Sequence, residues 1–162
     1  IICALNGVAA GLGATIALFC DIIYASDQAR IGDTHVKAGL VAGDGGAVIW
    51  PLLVGVARAK ELLMTGDIID AIEAERIGLV NKVVPHDQLM TEVMDLARRL
   101  ANGPALAIRG TKHAINKKVW ADLNMSLDVG LAMEELSSRH PDHTEAARSF
   151  VEKRTPEYKG TI

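Results

Sequence analysis

At 162 residues, with 49 % hydrophobic and 4 % aromatic residues, the chain carries enough aliphatic content to bury one sizeable core. Seventeen basic residues against twenty acidic ones give a formal charge of −3, with no block of like charge and no basic, aromatic-rich face, which argues against nucleic acid as a partner. Two cysteines, Cys3 and Cys20, lie in apolar surroundings and support neither a disulfide framework nor a metal site, so the expectation is a reducing, cytoplasmic setting and no bound metal.

Ile1 to Leu5 reads as a buried strand ended by the turn pair Asn6-Gly7. A start directly in such a run, without an initiator methionine, predicts that the chain begins inside a larger fold, with any targeting segment upstream. The apolar stretch Ile1 to Ala25 is interrupted by Asn6, Gly7, Gly11, Gly13 and Asp21 and falls short of the roughly 20 unbroken residues of a membrane span. Within it, Val8 to Gly13 is small enough for close backbone approach, and Ala14 to Cys20 reads as a short buried helix. A first turn of the type Gly-Leu-Gly-Ala either offers free amides to an oxyanion or lets helix and sheet pack closely. Asp21 to Ala25 and Ala29 to Ile31 read as strands, and the β-loop-helix-β order is that of an α/β layer fold.

Further on, Ala47 to Trp50 suggests a helical turn and Pro51 the start of a second one. Val56 to Thr65 is an amphipathic helix closed by Gly66. Asp70 caps a helix to Ile77, Gly78 ends it, and Leu79 to Val84 is a strand stopped by Pro85. Helical segments follow over Asp87–Ala101, Pro104–Lys117 and Trp120–Arg139, with a break near Lys118 and a last helix from Asp142 or His143 to Lys153. Two regions are thus expected: an α/β part over 1–84 and a helical part over 85–162.

The candidate chemistry lies in Gly32 to Gly46, where His35 and Asp44 stand nine positions apart in a glycine-rich segment. If the loop folds back, a carboxylate on one ring nitrogen fixes the tautomer and leaves the other to activate water or move a proton. The alternatives are that Asp44 merely caps the helix after Gly45-Gly46 and that His35 is a loop residue bonded to backbone. Trp50 is read as pocket wall or core. His86, His113, His140 and His143 show no zinc spacing.

Asn6-Gly7 with Gly11-x-Gly13, Cys20-Asp21-Ile22-Ile23-Tyr24-Ala25, Gly39-Leu40 with Gly45-Gly46, Leu63-Met64-Thr65-Gly66, Ala74-x-x-Ile77-Gly78-Leu79-Val80 and Phe150-x-Glu152-Lys153-Arg154 occur in that order. Together they resemble the enoyl-CoA hydratase/isomerase (crotonase) superfamily. The resemblance spans essentially the whole chain and implies the C-terminal part of a subunit: a ββα spiral core followed by a helical trimerisation region that also covers the active site. It further implies a thioester substrate with coenzyme A as its carrier, an oxyanion hole to which Leu12 contributes its backbone N–H, and a pocket formed by Gly11, Gly13, Thr15, Gly43 and Trp50. Phe150 and Lys153 resemble residues near the adenine and phosphate end of CoA in a neighbouring subunit, and a homotrimer or a hexamer of two trimers is implied.

The chain departs from the pattern at the two glutamates that the hydratases use as acid and base, whose positions fall on Thr15 and His35. A threonine hydroxyl is a poor base near neutral pH, whereas an imidazole titrates close to it. The segment His35-x-x-x-Gly39-x-x-x-Gly43-Asp44-Gly45 with Trp50-Pro51 resembles the β-diketone hydrolase branch typified by 6-oxocamphor hydrolase, which cleaves a carbon–carbon bond without CoA by a retro-Claisen route. Three functions are therefore expected in order: an acyl-CoA enzyme using His35 and Asp44, a CoA-independent β-diketone hydrolase, and a catalytically idle subunit with a binding or assembly role.

Overall fold

The first two turns of the chain each lay down one strand in each of two small sheets, then helix; the third places a helix between its two strands. The computed structural model describes residues 1–160. Strand β1 (Ile2–Leu5) and β2 (Val8–Ala10) are followed by helix α1 (Leu12–Leu18), then by β3 (Ile22–Ser26) and β4 (Arg30–Gly32). β3 returns parallel to β1, with Ile2 opposite Ile22, and β4 parallel to β2, with Ala10 opposite Gly32. A parallel return needs a crossover, which α1 supplies. β5 (Ile69–Asp70) runs antiparallel to β4, and β6 (Lys82–Val84) completes the first sheet as β1-β3-β6.

Between β4 and β5 lie a 3-10 turn (His35–Ala38), α2 (Gly46–Val54) and α3 (Val56–Thr65), and α4 (Ala71–Arg76) follows β5. The core between sheets and helices is mainly aliphatic, and Leu18, Ile23, Ala25, Ile31 and Leu79 share it with the fully buried Trp50. Burying side chains of this kind contributes roughly 1.5–3 kcal/mol each before the entropy cost is set against it. Asp70 caps α4 as the sequence predicts, its Oδ1 accepting the Glu73 amide at 2.8 Å.

Three local expectations are corrected. Helix α2 runs unbroken through Pro51, because Val48, Ile49 and Trp50 are buried on its inner face and hold the helix although Pro51 has no amide to donate. The strand expected from Leu79 is regular only over Lys82–Val84, since the amides of Leu79 and Val80 bond back to the Ala74 carbonyl at the end of α4. No break occurs near Lys118: α6 is one helix over Ala105–Ser138, and Lys118 faces Asp122 one turn on at 3.7 Å. The charged residues there mark a solvated face rather than an end, and no proline interrupts the run.

The helical part opens with a 3-10 turn at His86–Gln88, then α5 (Leu89–Ala101), α6 and α7 (Pro141–Glu152). α5 packs Leu89 and Val93 onto Ile2, Ala4 and Tyr24 of the first sheet. α6 has no buried residue among those described, yet it crosses the core by leaning on α2 and by pressing Gly130 against Gly43. A Cβ on Gly43 would lie 2.1 Å from the Gly130 carbonyl oxygen, so two glycines let the backbones touch. Among the described residues no helix is long and apolar enough to cross a membrane.

The two glycines of α6 should respond with opposite sign. Gly110 is exposed with open space around its missing side chain, so Gly110→Ala should stabilise the protein by about 1 kcal/mol through helix propensity. At Gly130 a Cβ would meet the Gly43 carbonyl oxygen at 2.9 Å, so Gly130→Ala should destabilise by about 1–3 kcal/mol despite the same propensity gain. Urea denaturation of both variants measures the difference, and a stabilised Gly130→Ala would show that the crossing is not tight.

Candidate active site

The parallel pairing of β2 and β4 sets two chain ends side by side: Gly11 leaves β2 and Asp33 leaves β4, joined by a Gly11 N–H bond to the Gly32 carbonyl at 3.1 Å. Carboxyl ends of parallel strands are where α/β folds place their sites. Gly11 has φ 53° and ψ −127°, a conformation open to glycine, and it turns the chain from β2 into the first residues of α1. It also faces the imidazole of His35: a Cβ on Gly11 would stand 3.5 Å from Cε1 and 3.8 Å from Nε2.

His35 begins the 3-10 turn that Gly39 ends in a left-handed conformation, and α7 comes down on that glycine with Asp142 and His143. The Nδ1–H of His143 donates to the Ala38 carbonyl at 2.7 Å, which ties α7 to the turn. Beyond it the loop carries Asp44 back toward the ring. Asp44 Oδ2 lies 3.5 Å from His35 Nε2, and Oδ1 accepts the Thr15 hydroxyl at 3.1 Å and the Gly46 amide at 3.3 Å. The structure therefore brings His35, Asp44, Thr15 and Gly11 together.

Two residues that the sequence reading did not single out complete the group. Asp33, with no exposed side-chain surface, accepts the His35 Nδ1–H at 2.6 Å and the His35 backbone N–H at 3.1 Å through the same oxygen. The carboxylate on Nδ1 is thus Asp33, and Asp44 faces the other nitrogen. Glu134 comes from α6, its Oε2 buried without a hydrogen-bond partner among the described residues, and its charge acts on His35. Gly130, Glu134 and Ser137 fall on one face of α6 at helical spacing: Gly130 meets Gly43, and the Ser137 hydroxyl accepts the Val41 amide at 3.1 Å. That spacing, and the Asp two residues before His35, were the available signals.

The bond from Nδ1 to Asp33 raises the His35 pKa above its ordinary value, burial opposes this, and the charges of Asp33, Asp44 and Glu134 add to the rise. Asp33, His35 and Asp44 each offer a donor atom within 4.8 Å of the others. The carboxylates stand at different ring nitrogens, so an ion on Nε2 would lie across the imidazole from Asp33. Each ring nitrogen thus faces its own carboxylate.

The remaining expected residues lie elsewhere or differ in role. Leu12 is the first residue of α1, its side chain 57 % exposed and its amide in the turn that has no intrahelical acceptor. Gly13 faces open space, and Gly43 is buried against α6. Trp50 is wholly buried in the core, and Asp44 is not the cap of α2, a place taken by Gly45. Phe150 and Lys153 are exposed at the far end of α7, about 10 and 15 Å along the helix from His143 by helical rise, and do not join the cluster. A separate apolar cavity of about 870 Å³ opens between Phe19, Ile49, Leu53, Ile108 and Ile115, without contact to His35 or Asp44.

Residues 1–161 match the family model described as enoyl-CoA hydratase/isomerase. The chain belongs to this family. It is 42 % identical over 150 residues to a short-chain-enoyl-CoA hydratase of Clostridioides difficile, covering 93 % of this chain and 96 % of that protein. A probable mitochondrial enoyl-CoA hydratase of Dictyostelium discoideum is 38 % identical over 160 residues, 96 % of this chain but 56 % of its own length. Among solved structures, an enoyl-CoA hydratase of Mycobacterium avium subsp. paratuberculosis superposes with a TM-score of 0.90 at 33 % identity, covering 98 % of this chain and 64 % of that one. A carnitinyl-CoA hydratase of Mycobacterium avium gives 0.92 at 30 %, covering 99 % and 62 %. The chain thus spans a little over half to two thirds of the length of most of these relatives, and the two-sheet spiral with its helical extension is the crotonase fold.

The raised His35 pKa links site and stability. A group whose folded value lies above its unfolded one contributes stability that is complete below about pH 6.5 and is lost as pH rises through the folded value. The melting-temperature difference between the wild type and His35→Gln, followed from about pH 5.5 to about pH 9, should therefore be largest at the acid end and shrink with rising pH. A difference that grows with pH would contradict the Asp33–His35 bond.

Proposed function

We propose that this protein acts on an acyl-CoA thioester by way of an enolate, with His35 and Asp44 in place of the two glutamates of the hydratases: His35 moves the proton, and Asp44 faces the ring nitrogen that carries it. The observation that carries this reading is the facing of His35 Nε2 and Asp44 Oδ2 at 3.5 Å beside the first residues of α1. The Leu12 N–H is the oxyanion donor in this scheme. A backbone amide there stabilises the developing negative oxygen without a particular side chain, which suits a leucine pointing into solvent. For a hydration, Nε2 takes a proton from water as its oxygen bonds to the β carbon, the π electrons move to the thioester oxygen, and the imidazolium returns a proton to the α carbon as the enolate collapses. Thr15 holds Asp44 by its hydroxyl and is not the base.

The names of the relatives, all enoyl-CoA or other acyl-CoA enzymes, support CoA as the carrier of the substrate. In this reading Phe150 and Lys153 meet the nucleotide end of CoA from a neighbouring subunit, and subunits assemble as trimers or paired trimers. The exposed Trp120, Met125, Val129 and Leu136 of α6 support an assembly that covers that helix. One observation favours a second reading, the CoA-independent hydrolysis of a β-diketone. Neither glutamate position holds a glutamate, and a single base beside an oxyanion site suffices for water to attack a carbonyl and expel an enolate.

His35→Ala and Asp44→Asn should each lower kcat/KM by about 100-fold or more with unchanged circular dichroism. The substrates to compare are crotonyl-CoA and a cyclic 1,3-diketone, with CoA binding followed by calorimetry. Turnover of the thioester together with CoA binding supports the first reading; cleavage of the diketone without CoA binding replaces it with the second. Variants as active as the wild type on either substrate would remove both residues from the chemistry.

A further inference from the structure

Asp33 is the most enclosed ionisable group of the site, and its role deepens the reading of His35 as the proton-transfer group. It follows β4 directly, and its side chain has no exposed surface. A carboxylate so placed is costly to ionise unless it is paired and hydrogen-bonded. Its Oδ1 receives both N–H groups of His35, the ring Nδ1–H at 2.6 Å and the backbone N–H at 3.1 Å. Its Oδ2 has no hydrogen-bond partner among the described residues and is pressed against Gly46, where a Cβ would lie 2.4 Å away.

This geometry has two consequences. The backbone bond fixes where the 3-10 turn begins, and the ring bond fixes the rotation of the imidazole relative to that turn, so a single oxygen sets both. A carboxylate only accepts, so Nδ1 keeps its hydrogen and Nε2 becomes the nitrogen that gives and takes protons. We propose that Asp33 is the positioning residue of this site: it holds His35 in the Nδ1–H form with Nε2 turned toward Asp44 and Gly11, and it frees Asp44 to act at the substrate side. The two aspartates then have separate duties. Asp33 sets tautomer, orientation and proton affinity from behind the ring, and Asp44, held by Thr15, meets the transferred proton in front of it. Besides these two carboxylates, the charge acting on the ring is that of Glu134 from α6, and before α1 the ring meets the uncharged Gly11.

The test is ¹⁵N NMR of the whole chain labelled in histidine, beside kinetics. In the wild type the neutral His35 should show Nδ1 as the protonated nitrogen, with a downfield, slowly exchanging proton. Asp33→Asn should lower the His35 titration midpoint, move the acid limb of the kcat profile to lower pH by the same amount, and reduce kcat about 10–100-fold with KM little changed. Asp44→Asn should reduce kcat while leaving the Nδ1–H signal in place. Gly46→Ala, which crowds Asp33 Oδ2, should shift the midpoint in the same direction as Asp33→Asn. A wild-type neutral ring protonated on Nε2 would overturn the proposal without any variant having to fold. An unshifted midpoint in Asp33→Asn, or loss of the Nδ1–H signal in Asp44→Asn, would overturn it as well. The NMR signature does not depend on turnover: if it holds while neither thioester nor diketone reacts, the proposed function fails and the role of Asp33 stands.

Discussion

The parallel register of β2 against β4 is the constraint on which the site depends. With Ala10 opposite Gly32, the residues that leave the two strands emerge together. One goes into α1 through a glycine in an unusual conformation, the other into a buried aspartate. A one-residue slip would turn every side chain of β4 to the other face and carry Asp33 out of the interior. Everything chemical follows from that pairing: the 3-10 turn starts where Asp33 accepts the His35 amide, and the loop after it has only to return Asp44 to the open side of the ring.

That return is enforced from outside the sheets. α6 contributes no buried side chain, yet its Gly130 meets Gly43 backbone to backbone, and one turn later Glu134 brings its charge to bear on His35. Ser137 adds a hydrogen bond to Val41. The helix thus clamps the loop between His35 and Gly46 through residues that gain little from burial themselves. The contact works because both partners lack a Cβ, which allows an approach closer than any side chain permits. α7 does the same at Gly39 with its first turn. The helical part is therefore an integral wall of the site as well as an appendage to the core.

Strand and helix identities were legible where the signal was local: the Asp70 cap, the amphipathic α3 and the strands flanking α1 followed from caps, periodicity and turn pairs. Boundaries failed where tertiary contacts outweighed local punctuation, as at Pro51, held in a helix by Trp50 and its neighbours, and at Lys118, whose charge reads as an end but faces solvent. At the site, His35 and Asp44 stood out because residue types and glycines suggested them. Asp33 did not, since an aspartate two positions before a histidine looks like loop polarity until its burial is known. Glu134 carried only the weak signal of its helical spacing with Gly130 and Ser137: it arrives from 99 positions away along the chain, and only the packing of α6 brings its charge to His35.

The electrostatics of this arrangement differ in kind from a pair of glutamates around a water. Two carboxylates near one another resist sharing a site when both are charged, so one must hold a proton and the other not. Here an imidazole stands between carboxylates, and each neighbour favours its charged form: Asp33 most directly by its hydrogen bond, then Asp44 and Glu134 by charge alone. The proton resides on a cation that its surroundings stabilise, and the same surroundings make that cation a weaker acid. The burial of the ring works the other way and keeps the proton from being held too firmly. Opposing influences of this kind act on both forms of the ring, and a single group that takes a proton in one step and returns it in the next needs neither form to be excluded.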